Sequence, residues 1–526
     1  MNFRALFPRF PMSFIAKTLL FAGMAISIAL SAASYTGFLP LGIPSFLVPL
    51  LVFSISAAYR PGWIFLLLVS VLPLEIVNLA PPSVGTGIRP YQFLMISVFV
   101  GLGIRFLMRR SLPTLPKPNL GDLFLLLVPI GSLFAVVNAP NPDISLRLSV
   151  ILFTYYALYA LFRTYVRSSE DIGRVLPFIT AASLLSILTA IMQNAYFIYG
   201  NGMLEVMPGR PNALFAEPDW LGMFLIAFIA ILVSSLYMLA SRTGSFRELA
   251  RMKRSWYLFA ASSLCFVALI LSVSRSAWFG AVVSIAVSVL LTLSVRRIRI
   301  ANVIVGILSA SVILSLAAVL FVPLTNFDLF GRAGSIRSGL QTITVSCSEE
   351  KTLPAYVATV EELAAIGCRH INLEEIDTEK AAGRFVAEIN RNDPNISIRK
   401  QIYERSVSLG LEHPALGIGW GSVTKALGTD NRGAGLNASD VLLEVWLGSG
   451  LLGIVGFLGF LLILAIRAFR DFFRNRGAFP FFLISAFAGL VAFDLFNSGI
   501  LLGFFWALLG IAGSYVFHES DFSETL

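Results

Sequence analysis

Runs of close to twenty apolar residues, separated by short polar stretches, recur along almost the whole chain. A helix needs about 20 apolar residues to cross the roughly 30 Å of hydrocarbon in a bilayer. Runs near that length cover about 13–34, 40–58, 61–80, 90–108, 120–138, 145–163 and 173–197, then 220–241, 256–273, 276–294, 301–322, 441–466, 479–496 and 500–517. The pattern predicts an all-α polytopic membrane protein with about 14 transmembrane helices. About eleven of the spans fall in residues 1–322, and about three fall in 441–526 together with a short tail. Between them lies one long polar segment, 323–440.

Inside that segment the periodicity changes. Thr342 to Ser346 alternates and reads as a strand, Pro354 to Ile366 as a helix, His370 to Leu373 as a strand and Thr378 to Asn390 as a second helix. A small β-α-β-α insertion over 342–390 is expected, then a helix over 396–412 carrying Arg399, Tyr403 and Glu404. With two parallel strands, Cys347 would end one and Cys368 would precede the next, near opposite edges of the sheet. That placement argues against a disulfide. Cys265 falls in an apolar run and reads as a small core residue. His370 has no partner set of His, Cys or spaced carboxylates, so neither a metal site nor a cofactor is expected.

Composition sharpens the class. Hydrophobic residues make up 57% of the 526 and charged residues only 13%, which excludes a soluble globular fold. The net charge of +9 follows from topology rather than nucleic-acid binding, because Lys and Arg collect in alternate loops. One set holds Arg60; Arg105, Arg109, Arg110 and Lys117; Arg163, Arg167 and Arg174; Arg242, Arg247, Arg251, Lys253 and Arg254; Arg296, Arg297 and Arg299; and Arg467, Arg470, Arg474 and Arg476. The opposite short loops hold Arg89, Arg147, Arg210 and Arg275. The asymmetry puts both termini in the cytoplasm and 323–440 outside.

The few outward cations then stand out. Arg210 lies in PGRPNALFAEPDWLG, where prolines fix the backbone beside Glu217 and Asp219. Arg275 lies between two apolar runs separated by barely a turn, a costly place for a guanidinium unless an anion or water receives it. Arg210, Arg275 and Arg399 on one face suit a phosphate or pyrophosphate, which the planar fork of arginine matches with paired hydrogen bonds. Three groups are candidates for a general base: Asp440, which would also cap a helix; Glu444, one turn further on; and His413, before a proline turn. Gly417, Gly419 and Gly421 form a turn with no preceding strand, unlike a dinucleotide fingerprint. Gly450, Gly453, Gly456 and Gly459 make a close-packing helix face.

Three segments, GRPNALFAEPDWLGMFL, SVSRSAWFGA and IRKQIYERSVSLGLEHPALGIGWGS running through to GSGLLGIVG, resemble the bacterial O-antigen ligases and polymerases. The likeness extends from about residue 140 onward. It implies a fold related to C-type glycosyltransferases, in the inner membrane, with the active site facing outward and no metal requirement. The donor would be a polyprenyl-pyrophosphate-linked oligosaccharide and the acceptor a glycan or lipid. By the same resemblance, Arg210, Arg275 and Arg399 contact the pyrophosphate, and His413-Pro414 with Gly417 and Gly419 shapes the site. Where ligases of this family place a histidine-containing pair, nine residues before the final Gly-x-x-Gly, this chain has Ser439 and Asp440. The departure favours a polymerase over a ligase. A lipid-linked glycan flippase or other transporter is the rival of a different class, but transporters gather charge near the midplane.

Overall fold

The apolar runs fold as helices because a bilayer offers no partner for an unpaired peptide group. The computed structural model describes residues 13–198, 203–204, 206, 210–243, 246–295, 340–349, 353–357, 361–371, 376–392, 394–428 and 437–517. Two compact units are distinguishable: Met1–Ala317 with Ser406–Leu526, and Ala318–Arg405.

In the first unit the helices are α1 (Phe14–Tyr35), α2 (Ile43–Tyr59), α3 (Pro61–Ser70), α4 (Pro90–Leu107), α5 (Leu120–Ala135), α6 (Pro142–Tyr165), α7 (Ser169–Ile198), α8 (Pro218–Thr243), α9 (Phe246–Arg251), α10 (Lys253–Leu271) and α11 (Arg275–Leu293). Among the described residues, nine helices are long and apolar enough to cross a membrane, and four shorter apolar helices occupy further expected spans. The chain is a multi-pass membrane protein. The expected span 301–322 lies outside the described residues.

One expected span is shorter than its apolar run. Over 61–80 the helix stops at Ser70, because Pro73 cannot extend it and Pro81-Pro82 keeps the backbone open beyond. The stretch from 71 to 81 is nonetheless largely buried, and it carries Glu75 into the interior.

The insertion departs most from expectation. It is a four-stranded sheet of order β2-β4-β1-β3, built from β1 (Leu340–Cys347), β2 (Tyr356–Val357), β3 (Cys368–His370) and β4 (Phe385–Asn392). Short helices α12 (Glu361–Ala365) and α13 (Ile376–Ala381) connect them. The segment 378–390, expected to be one helix, breaks at Gly383, whose φ of 75° ends α13. The alternating Phe385-Val-Ala-Glu-Ile389 beyond it then pairs with β1. Likewise 354–366 divides into β2 and α12. The parallel arrangement was wrong: β1 and β3 are antiparallel, so the end of one strand meets the start of the other and Cys347 sits opposite Cys368. The two cysteines form a disulfide, with Cα atoms 4.1 Å apart. Val345, Ile343, Val357, Leu363 and Ile389 pack around it as a small core.

Helix α14 (Pro394–Glu412) follows, then α15 (Val423–Leu427), α16 (Val441–Asn475), α17 (Ala478–Asp494) and α18 (Gly503–Phe517). The glycine face of α16 is structural, as its spacing suggested. A Cβ on Gly456 would lie 2.3 Å from the Phe124 carbonyl, and one on Gly131 of α5 would lie 2.2 Å from that of Ser449. The two backbones therefore touch.

Candidate functional site

Arg210 is positioned by a rigid loop. The Gln193 side chain grips the loop reciprocally, its Nε2 donating to the Ala213 carbonyl at 2.9 Å and its Oε1 accepting from the Ala213 amide at 2.7 Å. The Ile76 amide donates to the Leu214 carbonyl at 2.9 Å, joining this loop to the buried 71–81 stretch. Held there, Arg210 donates from Nε to the Ser272 carbonyl at 3.3 Å and from Nη2 to the Val273 carbonyl at 3.5 Å, and it pairs with Asp219 at 3.5 Å. Asp219 also accepts from Ser274, the residue whose side chain caps α11, and from Ser276 at 3.4 Å. Arg275 lies between these two serines as the first residue of α11, and is partly buried. Arg210 and the turn that bears Arg275 are thus brought together. Beside them, burial raises the Glu217 carboxyl above its ordinary range, and the charge of Asp219 adds to this while Arg210 opposes it.

Arg399 lies on α14 within the second unit and is partly buried. Residues Ser406–Glu412 of the same helix belong to the first unit. There Gly410 admits the Trp446 ring, since a Cβ would lie 2.8 Å from it.

His413 opens the glycine turn, and that turn docks into a break in α16. Gly450 has φ 62° inside the helix, so the Leu447 carbonyl and the Leu451 amide lose their helical partners. The loop supplies replacements: the Ile418 and Gly419 amides donate to Leu447 O at 2.7 and 3.1 Å, and Leu451 N donates to Ala415 O at 3.0 Å. Trp420 Nε1 adds a bond to Ser449 Oγ at 2.8 Å, and Asn138 Nδ2 reaches the Gly417 carbonyl at 3.3 Å. Gly417 has φ 75°, and a Cβ there would stand 2.4 Å from Leu447 O. The turn is therefore a backbone plug, and a broken membrane helix survives only where protein re-satisfies its freed groups. The backbone of His413 belongs to this plug, its carbonyl accepting from Gly417 N at 2.8 Å.

Asp440 caps α16, Oδ1 accepting from the Leu442 and Leu443 amides at 2.8 and 2.9 Å. Burial raises its carboxyl despite those bonds. Glu444 is buried and accepts from the Ala438 amide at 2.7 Å. Ser439 has φ 51° and bonds Asn437, shaping the entry to the helix.

Sequence reasoning missed two groups. Asp494, which ends α17, is buried within electrostatic reach of Asp440 and accepts from Gly499 N at 3.1 Å. Glu75 pairs with Arg89 at 2.6 Å and accepts from Tyr91 OH at 3.3 Å and from Gly503 N at 2.8 Å. Both were legible only as charges inside apolar runs. The turn between α17 and α18 ties Asp494, through Gly499, to the Arg210–Asp219 cluster, since Asn497 of that turn donates to Ser276 at 2.7 Å. Among the described residues no group of three or more His, Cys, Asp or Glu is placed to hold a metal ion.

A multi-pass helical membrane protein thus carries, on loops from several helix ends, an arginine held beside carboxylates and a second arginine at a helix start. Its residues 260–458 match the model of a family described as O-antigen ligase, in keeping with the resemblance that the three sequence segments carry. The match takes in Arg275, Arg399, His413, the glycine turn, Asp440 and Glu444. Arg210 precedes it, but bonds to Ser272 and Val273 within it. No curated protein matches the chain.

Proposed function

We propose that the chain is a polymerase of surface polysaccharide, working on the outer face of the bacterial inner membrane and joining glycan units carried on polyprenyl pyrophosphate. An acceptor sugar hydroxyl attacks the anomeric carbon of the donor glycan, the new C–O bond forms as the bond to pyrophosphate breaks, and polyprenyl pyrophosphate leaves. Arg210 and Arg275 take up the charge that develops on the leaving group, and Arg399 is given the same role by the family resemblance alone. The hydroxyl proton passes to a carboxylate, Asp440 or Glu444, with His413 a third candidate. The observation that carries the reading is the Arg210–Asp219 pair seated on the carbonyls just before Arg275. Asp440 is the more accessible of the two to an acceptor hydroxyl, because Glu444 is more deeply buried.

A ligase passing the finished glycan to lipid A core or to protein is the second reading, favoured by the description of the matched family. Ser439 in place of the expected histidine weighs against it. Deleting the gene and running the surface glycan on a gel tests the choice. Single repeats on the anchor indicate a lost polymerase, whereas carrier-bound polymer with no ladder on the anchor indicates a lost ligase. Arg275→Ala or Arg399→Ala is expected to abolish chain extension with the protein still inserted, and normal chain lengths in either would overturn the arginine assignment.

A further inference from the structure

The turn between α17 and α18, residues 495–502, is fixed at several points. Gly499 N is bound by Asp494, the Ile500 carbonyl accepts from Trp506 Nε1 at 2.6 Å, and the Leu501 carbonyl accepts from Tyr155 OH at 2.6 Å. These bonds leave Asn497 partly exposed and aimed at Ser276, its Nδ2 lying 2.7 Å from the serine oxygen.

The amide faces the serines with its nitrogen, an orientation that their protons allow. Ser274 gives its one proton to Asp219. Ser276 has Asp219, at 3.4 Å, and Ser274, at 3.2 Å, within reach of its own proton. With its proton spent on either, the Ser276 oxygen offers lone pairs to Asn497, in keeping with the Nδ2 that the amide presents to it. The carbonyl oxygen of Asn497 then points away from the cluster. Among the described residues nothing donates to it, and it is not one of the sealed polar atoms.

We infer that Asn497 is a sugar-recognition residue, its Oδ1 accepting a hydrogen bond from a hydroxyl of the glycan while its NH2 fixes it to the Ser276–Asp219–Arg210 cluster. The inference rests on the transferase reading above for the identity of the ligand. A rigid acceptor beside an anion-pairing arginine suits a ligand that joins a phosphate to a hydroxyl-rich ring. An acceptor built to meet a hydroxyl discriminates strongly, because an analogue lacking that hydroxyl leaves it unpaired.

The test uses the full-length protein in lipid nanodiscs, with the repeat-unit oligosaccharide of the host's own polysaccharide and its mono-deoxy analogues. Binding is followed by calorimetry and transfer from the lipid-linked form by gel. Asn497→Ala is expected to weaken binding and raise KM about tenfold, with kcat held within about twofold. For one deoxy analogue the difference between parent and variant should vanish, because that analogue lacks the hydroxyl Asn497 reads. A purely structural role would impose the same penalty on every analogue, and that result, or an unchanged affinity, would overturn the inference. Asn497→Ser is the second variant should alanine fail to fold, with the same expected pattern. If the parent binds oligosaccharide but transfers none, the transferase reading fails and Asn497 is still judged by the binding series. If the parent binds none, the inference is overturned.

Discussion

At the scale of single residues, capping and catalysis compete at Asp440 and can be separated. Asparagine caps a helix about as well as aspartate, while alanine costs about 1 kcal/mol. Asp440→Asn is therefore expected to leave thermal unfolding in detergent nearly unchanged and to abolish transfer, while Asp440→Ala lowers stability as well. Full transfer activity in the asparagine variant would assign Asp440 to capping alone. Glu217 makes a prediction about pH. Its carboxyl is raised by burial, so the folded protein prefers the protonated form. Stability from that preference is present at low pH and is lost as pH rises through the raised pKa. Glu217→Gln should raise the unfolding temperature relative to the parent at about pH 8 and leave it unchanged at about pH 4, and equal offsets at both would contradict the assignment. The residue types and their spacing were legible in the sequence. The partners of Arg210 were not, because Ser272 and Val273 contribute carbonyls, which carry no sequence signal.

The element that most depends on fine packing is the glycine turn seated in α16. Gly417→Ala would force a left-handed φ on a residue with a Cβ and press that carbon onto the Leu447 carbonyl. A loss of about 2–4 kcal/mol follows, measurable as a lower unfolding midpoint in detergent. Trp420→Phe removes one buried hydrogen bond to Ser449 and should cost about 1 kcal/mol. The sequence marked these glycines as a turn and Gly450 as part of a packing face. It did not show that the turn completes the hydrogen bonding of a broken helix, since the break depends on contact between segments about thirty residues apart. In the insertion the second helix was misread because an amphipathic strand beyond Gly383 also satisfies a loose helical period. The parallel strands assumed on either side of the first expected helix put the cysteines apart, and the antiparallel pairing brings them together.

At the scale of the whole molecule, the disulfide is compatible with the outward placement of the insertion that the charge asymmetry leads us to propose. Disulfides persist in oxidising compartments, and the basic loops belong in the cytoplasm. A maleimide that cannot cross membranes should label Cys347 and Cys368 in intact spheroplasts only after reduction, while Cys265 stays unlabelled in its buried position. Labelling that needs membrane permeabilisation would reverse the topology. Closing a loop of this length is worth about 3 kcal/mol, so Cys347→Ser should loosen the insertion, seen as faster proteolysis there.

Hydropathy in the sequence determined the class of molecule and the positions of its membrane helices, because helix length is imposed by the bilayer and needs no tertiary contact, and the Lys/Arg bias supplied the sidedness proposed for its loops. Family resemblance in three segments supplied the chemistry to expect. The tertiary structure decided which groups meet: Arg210 on the carbonyls before Arg275, Asn497 on Ser276, Glu75 and Asp494 on the turn that joins them, and Cys347 against Cys368. Each of these pairs segments distant in the chain, and several run through backbone atoms common to every residue. A one-dimensional pattern has no means of encoding them.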